Sequence, residues 1–254
     1  MTASRSALPR LARRSAATLL IGVLALAAAG CFNPFAPLVS RQRVASTQAP
    51  IPSSPAGVVK LFEWCWQNQD IARYEEIFTD DYRFAFAEGD SAGQPYQQTP
   101  YTRETELTNV GGLFVGDGDR PAARSVTLNL DKTMISLPDP RPGKDPKWHR
   151  SIRTHVDLKI EIDRGSGSID AQIVVGNALF FLVRGDSAAI PPELIARGFT
   201  RDSTRWWIER WEDETLAEGG SSPAMAERGR TAAPTPLLPP RFITFGQAKV
   251  EAGR

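Results

Sequence analysis

Residues 148–163 alternate almost without fault, and this one stretch limits most strongly what the chain can become. Trp148, Arg150, Ile152, Thr154, Val156, Leu158, Ile160 and Ile162 take the even positions, and only Arg150 and Thr154 among them are not apolar. His149, Ser151, Arg153, His155, Asp157, Lys159, Glu161 and Asp163 take the odd positions, and all are polar. Successive strand side chains point to opposite faces, so this is a long strand with one dry and one wet face. Arg164-Gly165-Ser166-Gly167 reads as a hairpin turn. The return strand, 169–183, starts with alternation and turns apolar on both faces through Phe180, Phe181, Leu182 and Val183. Gly176-Asn177 within it predicts a bulge or bend. Val126, Leu128 and Leu130 mark another strand, and Trp206-Trp207-Ile208-Glu209-Arg210-Trp211 a last one. Met134 to Leu137 either continues the first of these or follows a bulge, and the proline-rich 139–146 excludes regular structure.

The dry face needs a cover, and the first half of the chain supplies it. Val58, Leu61, Phe62, Cys65 and Trp66 recur at i, i+3, i+4, i+7 and i+8, the stripe of an amphipathic helix. Ser54 suits its N-cap and Pro55 its first position. A short second helix carries Ile71, Tyr74 and Phe78 on one side. After Thr79-Asp80-Asp81, read as a solvated turn, Tyr82, Phe84 and Phe86 alternate as a half-buried strand. A third helix, capped by Thr102, presents Leu107, Val110, Leu113 and Phe114.

The chain ends read differently. Four arginines without an acid precede an apolar run at 16–29, the grammar of a signal peptide over 1–30. The run closes on Ala28-Ala29-Gly30-Cys31, which resembles the bacterial lipoprotein signal and implies a lipid on Cys31, the membrane as a partner and a cell-envelope location. Residues 31–53 read as a tether, 54–214 as one folded domain, and 215–254 as a Pro/Ala/Gly-rich, largely disordered tail. An apolar patch at Leu237, Leu238 and 242–245 is expected to dock back on the domain. Without residues 1–30 the chain has 26 basic and 29 acidic residues, a formal −3 that excludes a nucleic-acid partner as the driving idea. Cys65 is then the one remaining thiol, a buried inert side chain that rules out an internal disulfide.

Helix, short helix, aromatic strand, third helix and several long strands is an α+β order. It resembles the NTF2-like superfamily, with its SnoaL-like and ketosteroid-isomerase-like members. Carrying the resemblance are Val58-Val59-Lys60-Leu61-Phe62-Glu63-Trp64, the run from Tyr74 through Asp81-Tyr82 to Phe84, and the closing Trp206 to Trp211. It implies a curved antiparallel sheet wrapped around the N-terminal helix and enclosing a conical pocket. It also implies, for enzymatic members, an Asp, Glu or His inside the cone that transfers protons.

The candidates for such chemistry are few. Asp81 lies in the expected turn. His155 is on the wet strand face, and it stands too far from His149 to share a metal. Glu209, between tryptophans, qualifies if its face turns inward, though Arg210 offers it a surface ion pair. Nucleophile elbows, phosphate loops, C-x-x-C, H-E-x-x-H and EF-hand spacings are missing, so neither metal nor cofactor is implied. Trp66, Tyr82, Phe86, Trp206, Trp207 and Trp211 are the aromatics for a pocket or an interface, including a homodimer through the sheet face. Three readings follow: a lipid-anchored, non-catalytic domain binding a protein partner or small apolar ligand, a small isomerase-like enzyme, or a structural assembly subunit.

Overall fold

The computed structural model describes residues 48–118, 120–164, 168–215 and 239–253. The expected signal peptide, Cys31, most of the expected tether, residues 165–167 of the expected turn, and Leu237-Leu238 lie outside the described residues. Helix α1 (Pro55–Asn68) begins as its sequence dictates, with the Ser54 hydroxyl accepting from the Gly57 amide at 3.0 Å. It ends at Gln69, held in the left-handed region at φ 52°. Helix α2 (Ile71–Glu75) is capped by Asp70. Strand β1 (Phe78–Ala85) starts earlier than expected: Phe78, Thr79, Asp80 and Asp81 are already extended, where a helix end and a turn were anticipated. The Asp80 amide is taken by the Ala189 carbonyl at 2.7 Å, a distant partner that leaves no local trace in the sequence.

A 3-10 turn (Ser91–Tyr96) and the short β2 (Tyr101–Thr102) lead into α3 (Arg103–Val115), capped by Thr102. Then come β3 (Ala123–Leu130), β4 (Ser136–Pro138), β5 (His149–Asp163) and β6 (Ile169–Arg184). Met134–Leu137 therefore neither continues β3 nor bulges from it; Ser136 starts a separate strand paired with Ile152. A short helix α4 (Pro192–Ala196) precedes β7 (Trp206–Thr215). The chain closes with β8 (Arg241–Phe242) and α5 (Phe245–Ala252).

The sheet runs β2-β1-β7-β6-β5-β3, with β4 on β5 and β8 on β6. It is curved and unclosed, and with its helices gives the α+β cone anticipated. It is mixed rather than antiparallel: β1 lies parallel to β7 (Phe84 opposite Trp211), and β8 parallel to β6. Those pairs join strands far apart in the chain, beyond the reach of any hairpin signal. On β5 every even residue from Ile152 to Ile162 is buried, while Arg153, His155, Asp157 and Lys159 are exposed. The expected irregularity at Gly176 is a close approach instead, since a Cβ there would stand 2.6 Å from the Thr215 Cα. Pairing with β5 passes through Gly176 unbroken, and the register shift falls further along, between Phe181 and Leu182.

That shift organises the core. Phe181 faces Arg210 and Leu182 faces Ile208, so Glu209 is the extra residue of a bulge. Inward parity changes across it, and Trp206 and Ile208 on one side and Trp211 on the other all join the main core. There Phe62 of α1 sits edge-on to Trp211 (4.9 Å between centroids) and Phe180 (5.2 Å), fixing α1 against the sheet. Trp207 points to the opposite face, into a second cluster with Val183, Ala188 and Leu194.

The largest departure is at the C-terminus. A largely disordered tail was expected over 215–254; residues 216–238 of it lie outside the described residues, but Arg241–Phe242 form β8 and Phe245–Ala252 form α5, and Phe245 is fully buried against Trp66 and Trp211. Docking of the 242–245 patch is thus found, and a helix follows it. Its start was written in the sequence: Thr244 and Gln247 form a reciprocal capping box.

Candidate functional site

The interior of the cone holds charge. Glu106 lies one turn before Val110 on α3, on the buried stripe that continues through Asn109, Val110 and Leu113. From α5, Lys249 reaches the same point, and its Nζ stands 2.6 Å from Glu106 Oε2 with both residues 0% exposed. Tyr74 of α2 donates its hydroxyl to Glu106 Oε1 at 2.6 Å, and Tyr82 of β1 to Oε2 at 3.3 Å. Four elements therefore converge on one carboxylate. Burial, reinforced by the Glu106 charge, pushes the phenols of Tyr74 and Tyr82 well above their ordinary range, so both remain donors. Burial also draws the Lys249 ammonium down to about 8, with Glu106 opposing the shift.

The ammonium is boxed by rings. Lys249 Nζ lies 3.6 Å from the centroids of Phe84 and Trp211, 5.5 Å from Tyr101 and 5.8 Å from Phe245. Ring faces attract a cation electrostatically, most strongly where water is excluded. Asn109 donates to the Tyr101 hydroxyl at 3.0 Å and steadies that wall.

Polar bonds hold α5 in place at both ends. Asp213 Oδ2 accepts from the Gly246 amide at 2.8 Å and Thr215 Oγ1 from the Phe245 amide at 2.9 Å, satisfying donors that a helix start leaves free. Thr244 donates its hydroxyl to Asp90 at 2.5 Å. At the far end the Arg120 guanidinium donates to the Ala252 carbonyl at 2.9 Å. Beside this helix opens a cleft of about 520 Å³, lined by Arg83, Phe86, Asp90, Tyr96 and Arg210, and by Phe84 and Tyr101 of the ring box.

The residues singled out from sequence fall elsewhere. Asp81 is exposed on β1, and His155 is exposed on the wet face of β5. Glu209 leaves the cone at the bulge and pairs with Arg141 (2.5 Å) and Lys144. Burial works against its charge, but donors and positive charge from Lys144 and Arg141 outweigh that and hold its carboxyl below the ordinary range. Trp66, Tyr82, Trp206 and Trp211 belong to the main core, Trp207 to the second cluster, and Phe86 is half-buried along the cleft. Among the described residues no three His, Cys, Asp or Glu side chains gather as metal ligands, and no helix is long and apolar enough to cross a membrane.

Glu106 and Lys249 were missed because charged residues read as solvated faces. A signal was present for each. Glu106, Asn109, Val110 and Leu113 keep the i, i+3, i+4, i+7 spacing, as do Phe245, Ala248, Lys249 and Ala252, so each charge sits on an inward stripe.

No family model matches the sequence, and no curated protein matches it either. Solved structures do. The chain is similar to an NTF2-like superfamily protein from Salmonella enterica serovar Typhimurium, at 11% identity over 68% of this chain and 92% of that one, TM-score 0.39. It is similar to an NTF2-like protein of unknown function in nutrient uptake from Rhodospirillum rubrum, at 13% identity over 63% and 95%, TM-score 0.38. A ketosteroid isomerase-like protein from Erwinia carotovora atroseptica matches at 9% identity over 62% and 89%, TM-score 0.34. These neighbours carry the family name that the sequence resemblance carried.

Proposed function

We propose that this chain is a lipid-anchored, non-catalytic NTF2-like domain of the cell envelope that works by binding. One observation supports the reading above the others: the fully buried carboxylate of Glu106 is already paired with the chain's own Lys249, carried on α5. A base that abstracts a carbon-bound proton needs open space beside it for the carbon acid. Glu106 has two phenols and an ammonium there instead. The anchoring half of the reading rests on the signal-like 1–30 and on Cys31.

The enzyme reading rests on the same residues, because Glu106 with two tyrosine donors would form an acid–base set once uncovered. Incubating the full chain with a β,γ-unsaturated cyclic ketone in heavy water separates the two. Binding without catalysis predicts deuterium incorporation no faster than in buffer alone. Incorporation that is accelerated by the protein and lost in Glu106→Gln overturns it.

A further inference from the structure

We propose that the cone is a binding site for a primary alkylammonium, which the chain fills with its own Lys249 and which an amine-bearing ligand enters when α5 withdraws. The proposal deepens the binding reading by naming a ligand class for the cone.

The site is built for that group. Rings of Phe84 and Trp211 contact the ammonium at 3.6 Å, Tyr101 closes a third side, and Glu106 receives one N–H at 2.6 Å. The rings alone would accept any cation, quaternary ones included. The short bond to Glu106 requires an N–H donor and so excludes a quaternary ammonium, and the group that the rings and the carboxylate are seen to hold is the primary ammonium of Lys249. The stem of Lys249 sets the matching length, four methylenes from the helix backbone to the nitrogen.

The hold of α5 and the neighbouring cleft supply the second half of the argument. Much of its grip is polar: Asp213, Thr215, Asp90, Arg120 and Glu106, groups that water can satisfy after release. The large apolar side chains that it buries are Phe245 and Val250. The cleft of about 520 Å³ shares Phe84 and Tyr101 with the ring box, so a molecule in it already touches two walls of the site. Asp90 lines the same cleft, together with Glu88, Arg83 and Arg210, and bonds the helix cap, so the cleft reaches the polar hold on α5.

The test uses the full chain carrying Lys249→Ala, which removes three methylenes and the built-in ammonium and so leaves space for n-propylammonium. A ligand that binds the folded state raises the unfolding midpoint in step with the logarithm of its concentration. n-Propylammonium chloride is expected to do so, while sodium chloride at equal ionic strength, n-propanol and tetramethylammonium do not. The gain is expected to vanish in Lys249→Ala/Glu106→Gln. Should Lys249→Ala fail to fold, hydrogen exchange on the unaltered chain decides: n-propylammonium speeds exchange at the Ala248, Lys249 and Val250 amides, and the controls leave them unchanged. Absence of any effect, an effect independent of Glu106, or an equal response to tetramethylammonium overturns the ligand class. None of these results touches the heavy-water experiment, on which the non-catalytic reading stands separately.

Discussion

Cys65 shows how much one residue's surroundings decide. It is the free thiol among the described residues and is fully buried on the α1 stripe, as its spacing indicated. Burial pushes its thiol well above the ordinary range, with the Asp70 charge adding to the shift. Because the thiolate is the reactive form, iodoacetamide at pH 8 is expected to leave Cys65 unlabelled in the folded protein and to label it fully in urea, read by mass. Labelling of the folded chain at the rate of a free thiol would contradict its burial. Apolar residues such as Cys65, Phe62 and Trp211 were legible because hydrophobic spacing reports burial directly. Glu106 and Lys249 were legible only as pattern positions, since nothing local says that two charges from residues 143 apart will meet. Glu209 misled for the opposite reason: tryptophan neighbours suggested an inward face, and a bulge reversed its direction.

At the scale of elements, α1, α2, α3 and the hairpin strands followed from caps and periodicity, whereas α4, the parallel pairing of β1 with β7 and the seating of α5 depended on long-range packing. The approach of α5 is tight at Gly246, where a Cβ would fall 2.5 Å from Phe86 Cδ1 and 2.8 Å from Asp90 Oδ2. Gly246→Val is therefore expected to cost about 1–3 kcal/mol through overpacking and to raise hydrogen exchange across α5 before the rest of the sheet. Unchanged protection there would mean that α5 is not seated as described. The loop between β4 and β5 gives a pH prediction. Asp139 and Glu209 both bond Arg141, and in both, although burial opposes it, positive neighbours hold the carboxyl below the ordinary range. A carboxyl lowered on folding stabilises above its unfolded value, near 4, and loses that contribution as pH falls further. The urea midpoint is expected to drop below about pH 4, and Glu209→Gln to flatten that drop. An acid limb equally steep in the variant would remove Glu209 from the account.

For the whole molecule, the domain reads as a cone that carries its own occupant, and the lipid anchor proposed at Cys31 has its own test. If Cys31 is lipidated, the full-length protein partitions into the detergent phase of a cloud-point separation, and Cys31→Ser moves it to the aqueous phase; equal partitioning of both would remove the anchor. Central to everything else is the claim that Lys249 rests on Glu106 inside the cone, and a double-mutant cycle on urea stability tests it most directly. Breaking a buried pair from one side leaves a charge without its partner, so Lys249→Met and Glu106→Gln are each expected to cost about 3–5 kcal/mol, with the double variant costing no more than either single one. Small single effects that simply add in the double variant would contradict the pairing, and with it the reading of α5 as the occupant of the cone.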